Sequence, residues 1–513
     1  MVALGAVAAA VSVFVFSGAR LEGDPVALAR VSLQPFAGSI VGVTATDASG
    51  RPVPLTVRGG RLTPRRSVTP GELVSVTVIV RRPGWSSWAL GRERRETLTV
   101  RAPVAHLGRR WLTVPTGGHV RVHFDTTVST VSFGSVRAQP AAASAVLPTP
   151  SAAGSVEVAA AARPWERLGA PVLVTWFPQA KEPVVLAQPA PGAHIAPLAP
   201  HRLTFSRPVA DVLGTSVPKL PAGIHGTWVH ADSHSLVFRP SGRFGLPFTA
   251  TVRLRFPREV AVAGTGARTA RPATDVSWSV APASFLRLQQ LLAVEGYLPL
   301  DWAESGGVTP STPRAQLAAA VAPPQGTFSW RYQGTPSELQ ALWQPGEPNE
   351  IVRGAVMMFE DEHQLTVDGI VGPQVWHALL ADALAGKRRT AGYSYVYVHR
   401  NVPQLMTLWH NGQTVLTSPG NTGVPAAPTA LGTWPVFEHI SVGTMSGTNP
   451  DGSHYNDPGI QWISYFNGGD AIHSFNRSSF GTPQSLGCVE LPEAAAAQVW
   501  PYTPIGTLVT IEN

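Results

Sequence analysis

The sequence predicts a multidomain, mostly β protein. It reads as an N-terminal membrane anchor, two β-sandwich-like modules, a small three-helix module and a C-terminal β-rich domain that carries the chemistry. Three observations lead there. At 513 residues the chain is too long for one hydrophobic core. Glycine (49) and proline (48) punctuate many short Val/Thr-rich runs, the texture of strands joined by tight turns. Helical periodicity sets in at Phe285 and gives way to strand-like alternation again after about residue 388.

Hydrophobic residues make up 44% and charged residues 14%, which marks a folded chain. The net charge is +7, but arginines such as Arg202, Arg207, Arg253 and Arg255 are scattered along strand-like segments. No nucleic-acid partner is expected; a diffuse positive field suits an anionic polymer such as a cell wall.

Residues 1–23 come first. "MVALGAVAAAVSVFVFSGAR" has no charge before Arg20, and its nineteen uncharged residues are near the lower limit for a span. It lacks a basic leader and a good cleavage site, so an uncleaved anchor in the membrane is favoured over a removed signal. One cysteine permits no intrachain disulfide.

Residues 24–180 read as one β-rich module. In "ELVSVTVIVRR", Val74, Val76, Val78 and Val80 fall on one face of a half-buried strand. The Pro/Ala/Ser-rich stretch from Gln139 to Gly154 reads as a loop or linker. Residues 181–282 form a second β unit that looks like the immunoglobulin-like sandwiches of bacterial envelope proteins. His225, His230 and His234 lie there without a supporting carboxylate pattern, so metal binding is not expected.

Residues 283–388 are helical. "FLRLQQLLAVEGYLP" places Phe285, Leu288, Leu291 and Leu292 at helical spacing before Gly296 stops the helix, and two more helices flank "DGIVGP". The pattern resembles the peptidoglycan-binding-like module, with Asp301 to Glu350 as an atypical insertion. Residues 389–513 return to strands. Asn411-Gly412 turns one hairpin, and Asn467-Gly468-Gly469 turns another that delivers His473. "LPEAAAAQVW" reads as a short helix with Pro492 in its first turn.

The chain's one thiol, Cys488, follows Ser485-Leu486-Gly487, fifteen residues after His473. An imidazole can take the proton of a thiol, and a glycine before the nucleophile lets the backbone expose its amides to an oxyanion. No histidine follows Cys488, which excludes arrangements with Cys before His. No arginine follows it either, which excludes sortases.

What remains resembles the L,D-transpeptidase (YkuD-type) catalytic domain, over about residues 391 to 513. "YVYV", "PTALGTWPV" and "YFNGGDAIHS" also look like that family. The resemblance implies Cys488 as nucleophile, His473 as general base, and the carbonyl of Ser474 orienting the imidazole. Gly487 and Cys488 would supply oxyanion-hole amides, and Ser485 would brace the loop. Trp462 and Tyr465 are candidate groove residues. Leu486 stands where the family has a second histidine, so proton handling rests on His473. Glu490 replaces an Arg or Asn. It would face the substrate or sit at the N-terminus of the following helix, which is the favoured reading.

The resemblance further implies peptidoglycan stem peptides as substrate, 3→3 cross-links made through an acyl-enzyme with release of D-alanine, and carbapenem β-lactams as inhibitors. It implies no metal or organic cofactor, and a site outside the cytoplasm. An L,D-carboxypeptidase and a wall-binding scaffold with weak catalysis are the alternatives.

Overall fold

The computed structural model describes residues 14–115, 117–150, 152–306 and 309–513. Most of the expected anchor, residues 1–13, lies outside the described residues. The remainder of that segment is partly folded: Ser17 and Ala19 are buried, and strand Ala19–Gly23 pairs antiparallel with Ala29–Leu33. Among the described residues no helix is long and apolar enough to cross a membrane.

The stretch read as one module over 24–180 is built on two hydrophobic cores. In the first, a four-stranded sheet (Ala19–Gly23, Ala29–Leu33, Arg61–Pro64, Leu55–Arg58) shares a core with a three-stranded one (Ser39–Asp47, Leu73–Arg81, Glu93–Arg101). Val74, Val76, Val78 and Val80 are completely buried there, as their alternation predicts. The second core gathers Val122, Val131 and Val174 between a five-stranded sheet and the strand pair His119–Val128 and Ala142–Pro150. The loop reading of Gln139–Gly154 is therefore corrected. Ala142–Pro150 is an edge strand antiparallel to His119–Val128, with Ala145 and Leu147, two apart, both buried. Proline-rich composition obscured it because an outer edge has no partner to be deprived of an N–H.

Residues 184–280 differ from the expected two-sheet sandwich. Their seven strands form one sheet, in the order His194–Ile195, Arg271–Val280, Thr251–Gly264, Val184–Gln188, His201–Phe205, Ser235–Pro240, Gly226–Asp232. Trp278 and His201 stand three strands apart, about 14 Å in a flat sheet. Their ring centroids are 4.7 Å apart, so the sheet curls until its inner face meets itself.

The three expected helices are Phe285–Val294, Glu350–Glu362 and Pro373–Ala385. Asn349 caps the second by accepting from the Val352 amide at 3.0 Å, Pro373 opens the third, and Gly296 at φ +87 ends the first. The module is larger than three helices: the insertion adds a hairpin (Leu300–Glu304 with Gly326–Trp330) and helices Pro313–Val321 and Ser337–Ala341. It shares its core with the C-terminal domain, where Leu292, Val352 and Phe359 pack in one cluster with Tyr395, Trp409 and Leu508. Backbone meets backbone at Gly354 and Gly506. A Cβ on Gly506, whose φ is +87, would lie 2.3 Å from the Gly354 carbonyl oxygen.

The C-terminal domain packs two sheets face to face around Val396, Leu408, Ile472, Val489 and Val509. One sheet runs Gln413–Pro419, Leu405–His410, Ser394–His399, Leu508–Glu512, Gly432–Pro435. The other runs Glu438–Thr448, His454–Asn467, Asp470–Ser474, Val489–Leu491. Asn411 (φ +47) and Gly412 (φ +90) make the first hairpin turn, and the second hairpin pairs Asn467 with Asp470. Pro492 sits at the cap of helix Glu493–Val499, one residue before its first turn.

Candidate active site

The site is assembled at the inner edge of the four-stranded sheet. Strand Val489–Leu491 runs parallel to Asp470–Ser474, pairing Ile472 with Val489 and His473 with Glu490. Side chains alternate along a strand, so the paired His473 and Glu490 share a face; Cys488 is the residue just before the second strand. His473, Cys488, Glu490, Asp470, Asp457 and Leu486 all line one cavity of about 380 Å³. A second cavity of about 570 Å³ adjoins it, and both are bordered by Asp457, Phe475 and Arg477.

The loop before the thiol is tied down from two sides. Ser485 Oγ donates to the Cys488 carbonyl at 2.5 Å and accepts from the Gly487 amide at 3.3 Å. From the opposite side, Ser485 donates its amide to Thr422 O at 3.1 Å, and Val424 N–H donates to Ser485 O at 2.9 Å. Gly487 adopts φ +121, and a Cβ there would lie 2.1 Å from Asp470 Oδ1, so no other residue fits without displacing that carboxyl. The Gly487 amide, one of the two expected oxyanion donors, is thus engaged by Ser485 in this state.

Cys488 is half-buried, with Sγ 3.7 Å from the Gly469 carbonyl. Burial above all pushes its thiol up to about 12; a hydrogen bond from the Ala471 amide works against this, and the charges of Asp470 and Glu490 add to it. His473 is 3% exposed, and its Nδ1 lies 2.9 Å from Ser474 O. A carbonyl can only accept, so Nδ1 carries the proton and Nε2 keeps a free lone pair. Burial lowers the imidazole's pKa, while the bond to Ser474 and the charge of Glu490 pull it up. At neutral pH the two groups are a neutral thiol and a neutral imidazole rather than an ion pair. An imidazole with a free Nε2 lone pair and an un-ionised thiol in one cavity are the groups that general-base catalysis requires.

Leu486 lines the cavity, half-buried. Glu490 borders the cavity and is not at the N-terminus of the following helix, the favoured reading. It lies in strand Val489–Leu491, two residues before the cap of the helix, and is 4% exposed. Its carboxylate is held bidentately by Arg477, with Nε to Oε2 at 2.8 Å and Nη2 to Oε1 at 2.7 Å. Arg477 also donates to Gln484 O at 3.1 Å and lies over the Phe475 ring at 4.5 Å. The acidic side chain is therefore neutralised locally and offers no free charge to a ligand. Arg477→Ala leaves that carboxylate buried and unpaired, and is expected to destabilise the domain by about 3–5 kcal/mol in urea unfolding. Arg477→Lys, which keeps the charge and loses the fork, is expected to cost less.

Neither expected groove residue is among those lining the cavity, though Tyr465 packs against the same small apolar cluster as Cys488. Trp462, at φ +61, packs into the inter-sheet core with its ring 5.5 Å from that of Trp500. Tyr465 is in the cross-strand row with Ala471, half-buried and stacked on Phe437 at 6.2 Å. Sequence reasoning missed Asp470, Arg477, Asn421 and Thr422. Asn421 is completely buried and exchanges backbone hydrogen bonds with Glu490 at 2.9 Å in both directions. Only Asp470 had a local signal, as an acid in the hairpin turn that delivers the histidine.

Residues 393–511 match the family of L,D-transpeptidase catalytic domains, YkuD. Solved structures similar to the chain include the catalytic domain of an L,D-transpeptidase from Enterococcus faecium, with 23% identity over 24% of this chain and 99% of that one, TM-score 0.22. An L,D-transpeptidase from Mycobacterium smegmatis is 13% identical over 64% of this chain and 99% of that one, TM-score 0.22. L,D-transpeptidase 3 from Mycobacterium tuberculosis, in complex with a faropenem-derived adduct, is 12% identical over 64% and 97%, TM-score 0.22. No curated protein matches the chain.

Proposed function

Given that residues 393–511 form an L,D-transpeptidase catalytic domain, we propose that the protein cross-links peptidoglycan outside the cytoplasm with Cys488 as its nucleophile. The observation that carries this reading is that His473, on strand Asp470–Ser474, and Cys488, the residue just before the parallel strand Val489–Leu491, line one cavity inside that domain. Cys488 Sγ attacks the carbonyl between the third residue of a tetrapeptide stem and its terminal D-alanine while His473 Nε2 takes the thiol proton. The oxyanion is met by the amides of Gly487 and Cys488, once Gly487 turns from Ser485. The C–N bond then breaks, His473 returns the proton to the leaving amine, and D-alanine departs. A side-chain amine of a neighbouring stem attacks the thioester, gives its proton to His473, and expels the thiolate, which recovers the proton. The step needs no metal or organic cofactor. The β cores and helical module act as a spacer between the membrane and the wall, and the helical module has the sequence pattern of a wall-binding unit.

Incubation of the protein with purified tetrapeptide muropeptides tests the reading by product mass. Dimers lighter by one D-alanine are the expected product. Tripeptide monomers alone assign the chain as an L,D-carboxypeptidase, and unchanged tetrapeptide overturns the enzymatic reading.

A further inference from the structure

The first β core carries an apolar surface that the active-site chemistry does not use. Of fifteen tryptophans, only Trp85 and Trp88 are exposed, at 58% and 85%, and both stand on the short helix Gly84–Leu90. Phe36 meets Trp85 edge-on at 6.3 Å and is itself 38% exposed. Phe14 and Phe16, 53% and 45% exposed, complete the patch; Phe16 O accepts from the Phe36 amide at 3.0 Å.

The patch is held in place rather than loosely splayed. Arg82 is buried, and its guanidinium donates to Leu90 O, to Gly91 O at 3.3 Å and to Ser17 Oγ at 3.1 Å. One side chain thus staples the end of the tryptophan helix to the segment by which the chain enters the fold. Arg94 donates to the carbonyls of Phe14 and Val15 and sits 5.6 Å over the Phe14 ring. The Trp88 indole N–H is satisfied by Trp85 O at 2.9 Å, so the ring presents no unmet polar group to an apolar phase.

We propose that this face docks on a membrane surface containing anionic lipid, with Trp85 and Trp88 at the headgroup–acyl boundary. Two features select a membrane over a protein partner. Residues 14–17 lie at this patch, and in the sequence they follow an uncharged run over residues 1–13, so the patch adjoins an apolar leader along the chain. Arg81 and Arg82 precede the helix and Arg92, Arg94 and Arg95 follow it, against Glu93 and Glu96; Arg82 is buried and Arg94 is paired with Glu96, which leaves Arg81, Arg92 and Arg95 as exposed cations. Tryptophan flanked by arginine is the composition that suits the water–lipid interface of an anionic bilayer. The inference is independent of the proposed chemistry.

The test uses the full chain with vesicles of phosphatidylcholine, with and without phosphatidylglycerol, brominated on their acyl chains. Tryptophan emission is expected to be quenched, more strongly with phosphatidylglycerol. Trp85→Ser/Trp88→Ser is expected to lose most of that quenching, because the other tryptophans lie within the fold. Arg92→Glu/Arg95→Glu keeps both rings and is expected to lose the preference for phosphatidylglycerol. Equal quenching of parent and double-tryptophan variant overturns the proposal, as does an unquenched parent. A dimer in solution that the tryptophan variant dissociates reassigns the patch to a second copy of the chain.

Discussion

Cys488→Ala is expected to abolish both D-alanine release and cross-link formation, while thermal unfolding stays nearly unchanged. Activity falls by several orders of magnitude when the nucleophile is deleted, because the remaining groups have nothing to deliver a proton to or from. Stability should hardly move, since the half-buried side chain lies at the wall of a cavity, packed at the margin of the small Ile460–Ile463–Ala471 cluster and outside the inter-sheet core. A structural role for the thiol predicts the opposite pattern: unfolding at lower temperature with catalysis intact. The covalent state gives a second readout. With a carbapenem, the parent is expected to gain one drug mass on the peptide containing Cys488, the chain's single thiol. An unselective thiol reagent that labels Cys488 without any such adduct marks a thiol that is accessible but not activated, and moves the scaffold reading ahead.

His473→Ala is expected to slow acylation by about 10²–10⁴-fold, the contribution typical of a positioned general base. The pH profile distinguishes this role from a merely structural one. The base is active only when neutral, and burial holds the imidazole below its ordinary value of 6.5. The rate should therefore rise on an acid limb below pH 6.5 and be flat through neutrality. The thiol, pushed up to about 12, contributes no limb in that range. A mechanism that used pre-formed thiolate would instead climb steadily into the alkaline region. In His473→Ala the acid limb should vanish along with the rate; if the limb persists, the titrating group is elsewhere, and Asp470, whose pKa burial raises, becomes the first candidate.

Much of this was legible because it is local. The valines of Leu73–Arg81 alternate, and they are buried. Asn411-Gly412 and Gly468-Gly469 are turn residues, and they turn. The second hairpin carries His473 to the cavity that Cys488 also lines, so the meeting of these two residues in space was readable from fifteen positions of spacing. Each of these features is encoded in neighbours along the chain, through backbone sterics and a period of two.

The rest depended on which surfaces meet. Two cores replaced one module in residues 24–180, because alternation states that a face is buried and not what it is buried against. The seven-stranded sheet curls until Trp278 reaches His201, and the helical module joins the C-terminal domain across Gly354 and Gly506. Glu490 shows the limit most sharply. Its spacing from Cys488 was plain, yet its meaning came from Arg477, thirteen residues earlier, which folds back to hold both carboxylate oxygens. A charge in sequence is only a residue type. Whether it is free, buried or neutralised is decided by the partner that tertiary packing brings to within hydrogen-bond distance, because the energy of a carboxylate is set by its surroundings and not by its place in the chain.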